Sequence, residues 1–415
     1  MFLILAMLIL IVSPLIINWY SKLNAEKKQV NLFISPRCEE FFGKETTETL
    51  LEAFMEQNPD LKIRIMNASE RSLEAGGEPD IYIFDEGDYN ALVSKGLLTE
   101  LSNFTNFKHH DRPEEESAET QLYAIPLVSF MDMLFYNIEI LTNAGFDRPP
   151  KTREEFLACA RAVSNFNKAH SVNTASFAIS LNPEDRRALS RDIFSWIWAA
   201  GSDFWSEENG PSLNSRIIIS DISFFGSLYS EDLLAPGIFD TTGKQQLEEF
   251  ANGKTAMIIA SSREIPYLRE KMKDEMFGIT TIPNTGSSGK NGINLSGIHA
   301  GINTNCKHPD EALVFLEFLA EQRPLLCEIL KAVPGMVSDI IKGDYLKSDP
   351  FYTKAQDIFE SSVIVQGFSG KPGAEEYETA FIEDLRVFLE NNRTPLETVN
   401  AIQQRWDKIS GNEKP

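Results

Sequence analysis

Residues 78–101, EPDIYIFDEGDYNALVSKGLLTEL, decide the fold of this chain. Residues 81–84 are apolar and rich in β-branched and aromatic side chains, which is typical of a strand buried on both faces. Polar residues then interrupt the run, and apolar residues recur at helical spacing from Ala91 until Gly96 marks an end. The stretch therefore predicts a strand, a turn that carries carboxylates, and a helix.

Asp85 is the first polar residue after this predicted strand. In an open parallel α/β sheet, ligands bind in the crevice beyond the carboxyl ends of the strands. That rule would place Asp85 in a binding cleft. The alternative is that Asp85 only caps the helix that follows. The local sequence does not separate these two roles.

The neighbouring sequence has the same alternation of strand and helix. Residues 30–35 predict a strand and residues 36–40 a loop at its end. A helix is predicted over 46–57 and a second strand over 61–66. Strands that alternate with helices are typical of a parallel sheet covered by helices, so the predicted fold class is α/β.

Length and charge limit the possible functions. A chain of 415 residues is long enough for two or three domains. The formal net charge is −22, whereas phosphate binding requires a basic surface. Nucleic acid is therefore not an expected partner.

The cysteines and histidines give no metal or redox motif. The four cysteines form no CxxC pair, so free, buried thiols are favoured over a possible Cys306–Cys327 disulfide. His109 and His110 are adjacent but lie in a polar stretch, where metal binding is not expected. No catalytic motif and no cofactor site are found.

The N-terminus indicates export. Residues 1–17 are nearly all apolar and are followed by Trp19, Tyr20 and Lys22. The run is borderline in length for a transmembrane helix, and long for the apolar core of a signal peptide. Residues 1–25 are therefore predicted to be a signal peptide or a membrane anchor.

Five segments, in this order, give the chain a family resemblance. Together they resemble the extracellular solute-binding proteins of bacterial ABC importers, the group that includes maltose-binding protein. The segments are PDIYIFDEGDYNALVSKGLLTEL (79–101), YAIPLVSFMDMLFYNIEILTNAGFDRPPKTREEFL (123–157), FANGKTAMIIASSREIPYL (250–268), FGITTIPNT (277–285) and SGIHAGINTNCKHPDEALVFLEFL (296–319).

The resemblance implies a two-lobe periplasmic-binding-protein fold of type II, with a hinge between the lobes and the ligand between them. Lobe one is expected to hold residues 30–130 and 284–320. Lobe two is expected to hold residues 131–283 and 321–415. The chain would cross between lobes near residues 129–134, 282–285 and 320–323.

The resemblance also implies where ligand contacts lie. A sugar site needs carboxylates and amides for hydroxyl groups and aromatic rings for the sugar face. At the family's contact regions this chain has Arg37, Glu39, Glu40, Asp85, Trp196, Trp198, Arg263, Tyr267, Ser296, Gly297 and His299. Ser261-Ser262-Arg263 stands where the family commonly has Gly-Trp.

Several of these residues have a structural alternative. One or both of Trp196 and Trp198 could be core residues, and Glu39 and Glu40 a solvated turn. Arg37 could pair with Asp85 or bind an anionic group of the ligand. His299 is more often a buried core residue than a ligand contact.

The expected function is that of a monomeric, extracytoplasmic binding protein that delivers a carbohydrate to an ABC permease. One alternative ligand is an anionic polyol such as a glycerol phosphate ester, held by Arg37 and Arg263. A further alternative is a glycosidase that uses a pair of the carboxylates near Asp85. The remaining alternative is a membrane-anchored sensor or structural protein that keeps the fold without transport.

Overall fold

The computed structural model describes residues 28–66, 78–104, 122–201, 205–206, 210–213, 216–285, 291–332, 344–365, 367–368, 371, 373–390 and 393–411. The predicted signal peptide or anchor, residues 1–25, and the pair His109 and His110 lie outside these ranges. Among the helices that are described, none combines the length and the apolar character needed to cross a bilayer.

The described strands are β1 (Lys28–Ile34), β2 (Leu61–Ile65), β3 (Ile81–Asp85), β4 (Ile125–Asn137), β5 (Ala175–Ala178), β6 (Trp205–Ser206), β7 (Gly210–Pro211), β8 (Thr255–Ser261), β9 (Phe277–Thr280), β10 (Asn291–Ile302) and β11 (Ser362–Val365). The helices are α1 (Pro36–Gln57), α2 (Glu86–Ser94), α3 (Ile138–Asn143), α4 (Arg153–His170), α5 (Arg186–Leu189), α6 (Ser195–Ala199), α7 (Arg216–Ser230), α8 (Gly243–Ala251), α9 (Ile265–Lys271), α10 (Pro309–Glu321), α11 (Arg323–Leu330), α12 (Tyr345–Ser348), α13 (Pro350–Glu360), α14 (Ala374–Leu389) and α15 (Pro395–Ile409). A π-helical segment, Ser190–Phe194, joins α5 to α6.

Nine strands form one mixed sheet in the order β2-β1-β3-β10-β4-β8-β5, with β11 paired to β10 and β9 paired to β4. The pairs β1–β2 and β1–β3 are parallel, as the alternation of strands and helices predicts. The pairs β10–β3 and β10–β4 are antiparallel. The predicted α/β class is confirmed.

The stretch 78–101 folds as its pattern predicts. All five residues of β3 are buried, and the strand lies between β1 and β10. The α2 helix follows at once, because the side chain of Asp85 accepts a hydrogen bond from the backbone N–H of Gly87 at 3.1 Å. Gly96 has a φ of +63°, which ends the helical run.

The loop predicted over residues 36–40 is wrong. These residues form the first turns of α1, because Pro36 occupies the first helical position, where its fixed φ suits the helix. Gly43 has a φ of +71° and interrupts the helix before the predicted segment 46–57. The sequence therefore located the second part of α1 and missed the first part.

The structure has two lobes, one on each side of a cleft, and each lobe has its own core of buried apolar side chains. One core contains Phe54, Ile83 and Phe315. The other side contains a core around Phe156 and Trp196, and an adjacent cluster of its own. This two-lobe arrangement confirms the predicted fold class.

Two long strands, β4 and β10, take part in both lobes. Phe130 in β4 belongs to the first core, whereas Phe135 further along β4 belongs to a cluster of the second lobe. In β10, Ile293 and Ile302 are divided between the same two clusters in the reverse order. The predicted crossing at residues 129–134 therefore lies inside a continuous strand.

The exact residue limits of the lobes stay a prediction, and the packing departs from them at Ile293, which belongs to a cluster of the second lobe. Leu326, Cys327 and Ala332 pack in the first core, beyond the predicted end of that lobe at residue 320. The reason is that α11 buries its apolar side against the first lobe. All four cysteines, Cys306 and Cys327 among them, are free thiols.

Candidate functional site

A cavity of about 770 Å³ lies between the lobes. This volume falls within the range of about 300–1,000 Å³ that is common for small-molecule sites. The turn between β3 and α2 forms one wall, and α5 with the π-helical segment forms part of the opposite wall. The cavity therefore occupies the position predicted from the carboxyl end of β3.

The lining of this cavity is strongly acidic. Three guanidinium groups reach it, those of Arg187, Arg191 and Arg263. Three times as many carboxyl side chains do so: Asp85, Glu86, Asp88, Asp132, Glu184, Asp185, Glu264, Glu375 and Glu378. The amides Asn90 and Asn294 and several serine residues complete the polar surface. Such a lining offers many hydrogen-bond acceptors and few charged donors.

Asp85 caps α2 and also lies at the cleft. Its side chain is almost fully buried, and besides the Gly87 N–H its Oδ1 accepts a hydrogen bond from Arg187 Nη2 in an ion pair. Arg187 belongs to α5, so this ion pair joins the two walls of the cavity. The two roles weighed for Asp85 are therefore compatible, and its contact with a ligand stays a prediction.

Gly87 makes room for that ion pair. A Cβ atom at this position would lie 2.2 Å from Arg187 Nε, which is far inside van der Waals contact. The sequence gives no sign of Arg187 as a site residue, because it lies 102 positions from Asp85. Its role is visible only in the fold.

A half-buried Glu86 and a buried His299 form a pair beside Asp85. The distance from His299 Nε2 to Glu86 Oε2 is 3.4 Å, and the imidazole stacks on Tyr89 with ring centroids 5.3 Å apart. Burial lowers the pKa of His299 to about 4, with a smaller effect from Arg323. Burial, and to a lesser degree the charge of Asp85, raise the pKa of Glu86 to about 8. Both groups are therefore mainly neutral at pH 7.

Asp132 lies where β4 passes from one lobe to the other. It is 6% exposed and lines the cavity, and its backbone pairs with β8, yet its carboxyl group makes no hydrogen bond or ion pair with the residues that the structure describes. Burial raises its pKa to about 7, and the charge of Arg191 opposes this shift in part. The prediction of site residues missed Asp132, because the apolar residues on both sides made it resemble part of a strand.

Arg263, Ser296 and Gly297 are predicted site residues that line the cavity. Arg263 also lies over the ring of Phe41, at 4.1 Å from the guanidinium carbon to the ring centroid. Ser296 and Gly297 are on β10. A Cβ at Gly297 would lie 2.6 Å from the carbonyl oxygen of Val128, so the neighbouring strand already requires glycine here.

Trp196 and Trp198 have different surroundings. Trp196 is fully buried and packs against Phe156, with ring centroids 4.8 Å apart, so the prediction that it lines the cleft is wrong. Trp198 borders the cavity but is only 1% exposed. In this conformation it does not present a ring face to a ligand.

The remaining predicted contacts whose side chains the structure describes do not line the cavity. His299 is buried behind the wall, as the core alternative proposes, because its ring packs between aromatic side chains. Tyr267 packs beside the second-lobe cluster, and Glu39 and Glu40 are exposed on α1. Arg37 lies in the first turn of α1, but its side chain is outside what the structure describes.

Known proteins give an independent comparison. An ABC transporter-binding protein of Deinococcus radiodurans is 23% identical over 300 residues, which cover 70% of each chain. The solved cyclic alpha-maltosyl-1,6-maltose binding protein of Arthrobacter globiformis is 15% identical, with a TM-score of 0.73 over 93% of this chain and 99% of that one. An ABC transporter solute-binding protein of Thermotoga lettingae, solved with alpha-D-tagatose, is 18% identical, with a TM-score of 0.72 over 92% and 99%. These structures share the two-lobe fold.

The family model of the bacterial extracellular solute-binding proteins matches residues 43–323, which is more than half of the chain. The matched region includes the β3–α2 turn, both walls of the cleft and most of the strands that pass between the lobes. The chain belongs to the family of bacterial extracellular solute-binding proteins.

Proposed function

We propose that this solute-binding protein holds a carbohydrate between its two lobes and delivers it to an ABC permease. The observation that carries the proposal is the cleft itself, a cavity of about 770 Å³ lined by carboxylates, amides and hydroxyl groups from both lobes. A ligand that touches both lobes favours the closed arrangement by its differential affinity for it. The proposed ligand contacts are Asp85, Arg187, Asp132 and Ser296.

Several features of the cleft support a sugar. The carboxylates can accept hydrogen bonds from hydroxyl groups, and Asn90 and Asn294 can both donate and accept. Phe130 and Trp198 border the cavity and give it apolar sections. The two solved structures named above are a cyclic alpha-maltosyl-1,6-maltose binding protein and a solute-binding protein with bound alpha-D-tagatose.

The anionic alternative has less support. Each of the three guanidinium groups at the cleft has a partner within the protein: Asp85 for Arg187, Asp192 for Arg191, and the ring of Phe41 for Arg263. A phosphate ester would meet the surplus of carboxylates that surrounds them, and like charges repel. A neutral or cationic ligand fits this electrostatic setting better.

We also propose that the protein performs no chemistry. Its family consists of binding proteins. The carboxylates that a glycosidase would require are present, but Asp85 is committed to a helix cap and an ion pair. A general acid or base must be free to exchange a proton with the substrate.

Family membership places the protein outside the cytoplasm. We propose that residues 1–25 direct this export, and that the protein acts as a monomer. Whether this segment is removed or stays as an anchor would be tested by cell fractionation and by N-terminal sequencing of the secreted protein.

The function is tested by thermal unfolding of the full chain with a panel of mono- and oligosaccharides, followed by calorimetry on those that stabilise it. A ligand at 100 times its Kd raises the free energy of unfolding by about 2.7 kcal/mol. Stabilisation with no cleavage product on chromatography supports the proposal. Turnover, or stabilisation by phosphorylated polyols alone, would contradict it.

A further inference from the structure

Two of the three positive charges at the cleft are neutralised by ion pairs, and the third lies against an aromatic ring. Arg187 pairs with Asp85, and Arg191 Nε lies 2.7 Å from Asp192 Oδ1. Arg263 rests on the face of Phe41. The nine carboxyl side chains thus face a cavity whose three cations are engaged by the protein. The electrostatic potential inside is therefore expected to be negative, and it is strengthened by the low dielectric of a closed site.

Asp132 is a buried residue of this surface whose carboxyl group has no hydrogen-bond partner among the described residues. More than nine-tenths of the residue is buried, and it lines the cavity. In the part of the chain that the structure describes, only its backbone is hydrogen-bonded, within the β4–β8 pair. The charged groups that act on it are Arg191, which favours its ionised form, and Asp192 and Glu264, which oppose it. The carboxyl oxygens of Asp132 are not among the buried polar atoms that lack a partner, so they are open to the cavity, and a ligand that displaces solvent there has to replace the hydrogen bonds of that solvent.

An uncharged hydroxyl group would satisfy Asp132 only in part. An ammonium group would supply both a donor and the opposite charge, so its hydrogen bond to the ionised carboxylate gains a Coulomb attraction that a hydroxyl group does not offer. A metal ion is a poorer candidate, since within the described ranges no group of three or more His, Cys, Asp or Glu side chains is arranged to hold one. The chemistry at Asp132 therefore favours an organic cation.

We propose that the ligand is an amino sugar with a free amine, and that Asp132 binds its ammonium group where β4 passes between the lobes. This inference rests on the proposed carbohydrate-binding function and adds the class of sugar. Glu264 lines the same cavity and contributes to the field that attracts the cation. The rest of the sugar would contact the hydroxyl and amide groups already described.

Binding of such a cation has a second measurable consequence. The ammonium group stabilises the ionised form of Asp132, so at a pH low enough for the amine of the free ligand to be protonated already, the carboxyl group releases a proton when the ligand binds. A sugar of the same size without a free amine has no such effect. Proton release thus distinguishes an ammonium group at Asp132 from one elsewhere on the surface.

The test is calorimetry on the full chain at about pH 5.5, where the amine of the free ligand is protonated, in two buffers with different ionisation enthalpies. The ligands are β-1,4-linked glucosamine oligomers of two to four units, the N-acetylated oligomers of the same length, and glucose oligomers with the same linkage. The variants are Asp132→Asn and, as the matched control outside the cleft, Asp357→Asn, an exposed residue of α13. Thermal unfolding of each variant verifies that it folds.

We expect the glucosamine oligomers to bind at least about tenfold more tightly than the N-acetylated oligomers, with proton release and with affinity that falls as salt is added. In Asp132→Asn this preference and the proton release should disappear, whereas Asp357→Asn should retain both. If Asp132→Asn fails to fold, the comparison of ligands on the unchanged protein still decides the matter.

The other outcomes separate the two proposals. Equal or tighter binding of the acetylated or glucose oligomers would overturn the amino-sugar inference and leave carbohydrate binding in place. Binding of spermidine, a cation that is not a sugar, together with no binding of any sugar would overturn both proposals. An amine preference that Asp132→Asn does not change would exclude Asp132 as the site of the cation.

Discussion

Asp85 and Asp132 are both buried aspartates at the same cleft, yet their surroundings differ. Asp85 lies at a strand end, caps α2 and pairs with Arg187. Asp132 lies in the middle of β4, and its carboxyl group has no hydrogen bond among the described residues. The first carboxylate already contributes to the folded state, whereas the second reduces its stability when ionised. Asp85 therefore serves the folded structure, and we infer from this difference that Asp132 is the carboxyl group available to a ligand.

The largest expected effect concerns Asp132 and pH. Its pKa is raised from 3.8 to about 7 by burial, so the folded state binds a proton more tightly than the unfolded state. Stability should therefore fall as pH rises from about 4 to about 7, by on the order of a few kcal/mol for this group alone. Urea unfolding of the wild type and of Asp132→Asn across this range measures the effect.

Asp132→Asn should have a shallower decline than the wild type and be the more stable protein near pH 7.5. The decline should not vanish, because burial raises the pKa of Glu86 as well, to about 8, and this carboxyl group acts in the same direction. Identical pH profiles for the two proteins would show that Asp132 is better solvated than its burial indicates.

Substitution of Asp85 should lower the free energy of unfolding, whereas Asp132→Asn should raise it near pH 7.5. Asp85→Ala removes the helix cap, which contributes about 0.5–2 kcal/mol, and leaves Arg187 without its acid. The side chain of Arg187 is 36% exposed, so that ion pair adds only about 0–1 kcal/mol. A loss of about 1–3 kcal/mol in the free energy of unfolding is therefore expected in chemical denaturation.

Asp85→Asn is the matched control, because asparagine is also a good helix cap. It should retain most of the stability and lose only the ion pair. If Asp85→Asn costs as much as Asp85→Ala, the cap is not the source of the effect, and the contrast with Asp132 becomes one of charge alone.

The smallest effect is expected at Gly87. A methyl group in Gly87→Ala would displace the end of the Arg187 side chain and weaken its pairing with Asp85, at a cost below about 1 kcal/mol. In the Asp85→Asn background the same change should cost still less, since the partner is already gone. A double-mutant cycle by denaturation measures this coupling, and simple additivity would exclude the ion pair as the cause.

The sequence predicted best where structure follows from near neighbours. The strand, turn and helix of residues 78–101 were found because burial, capping and helical spacing all act within a few residues. The Asp85–Arg187 ion pair could not be predicted from the sequence, because only the fold brings α5 close to β3. The sequence therefore located one wall of the cleft and not the residue that meets it.

The two tryptophans show another limit. Residues two apart on a helix point about 200° away from each other, so Trp196 and Trp198 could not both face the cleft. Spacing alone does not tell which one does. The π-helical segment just before them, Ser190–Phe194, changes the rotation of the helix at this point, and no local pattern predicted it.

The continuity of β4 and β10 limits how the lobes can move. These strands are paired from Leu295 with Met131 to Ala300 with Ile125, and each continues into the second lobe. Translation of one lobe along the strands would break this row of backbone hydrogen bonds, whereas bending across them would keep it intact. The register irregularity between Ile298 and His299 lies within this paired region and adds local twist. A bound solute would thus be released by rotation of one lobe relative to the other as β4 and β10 bend, and not by sliding of the lobes past each other.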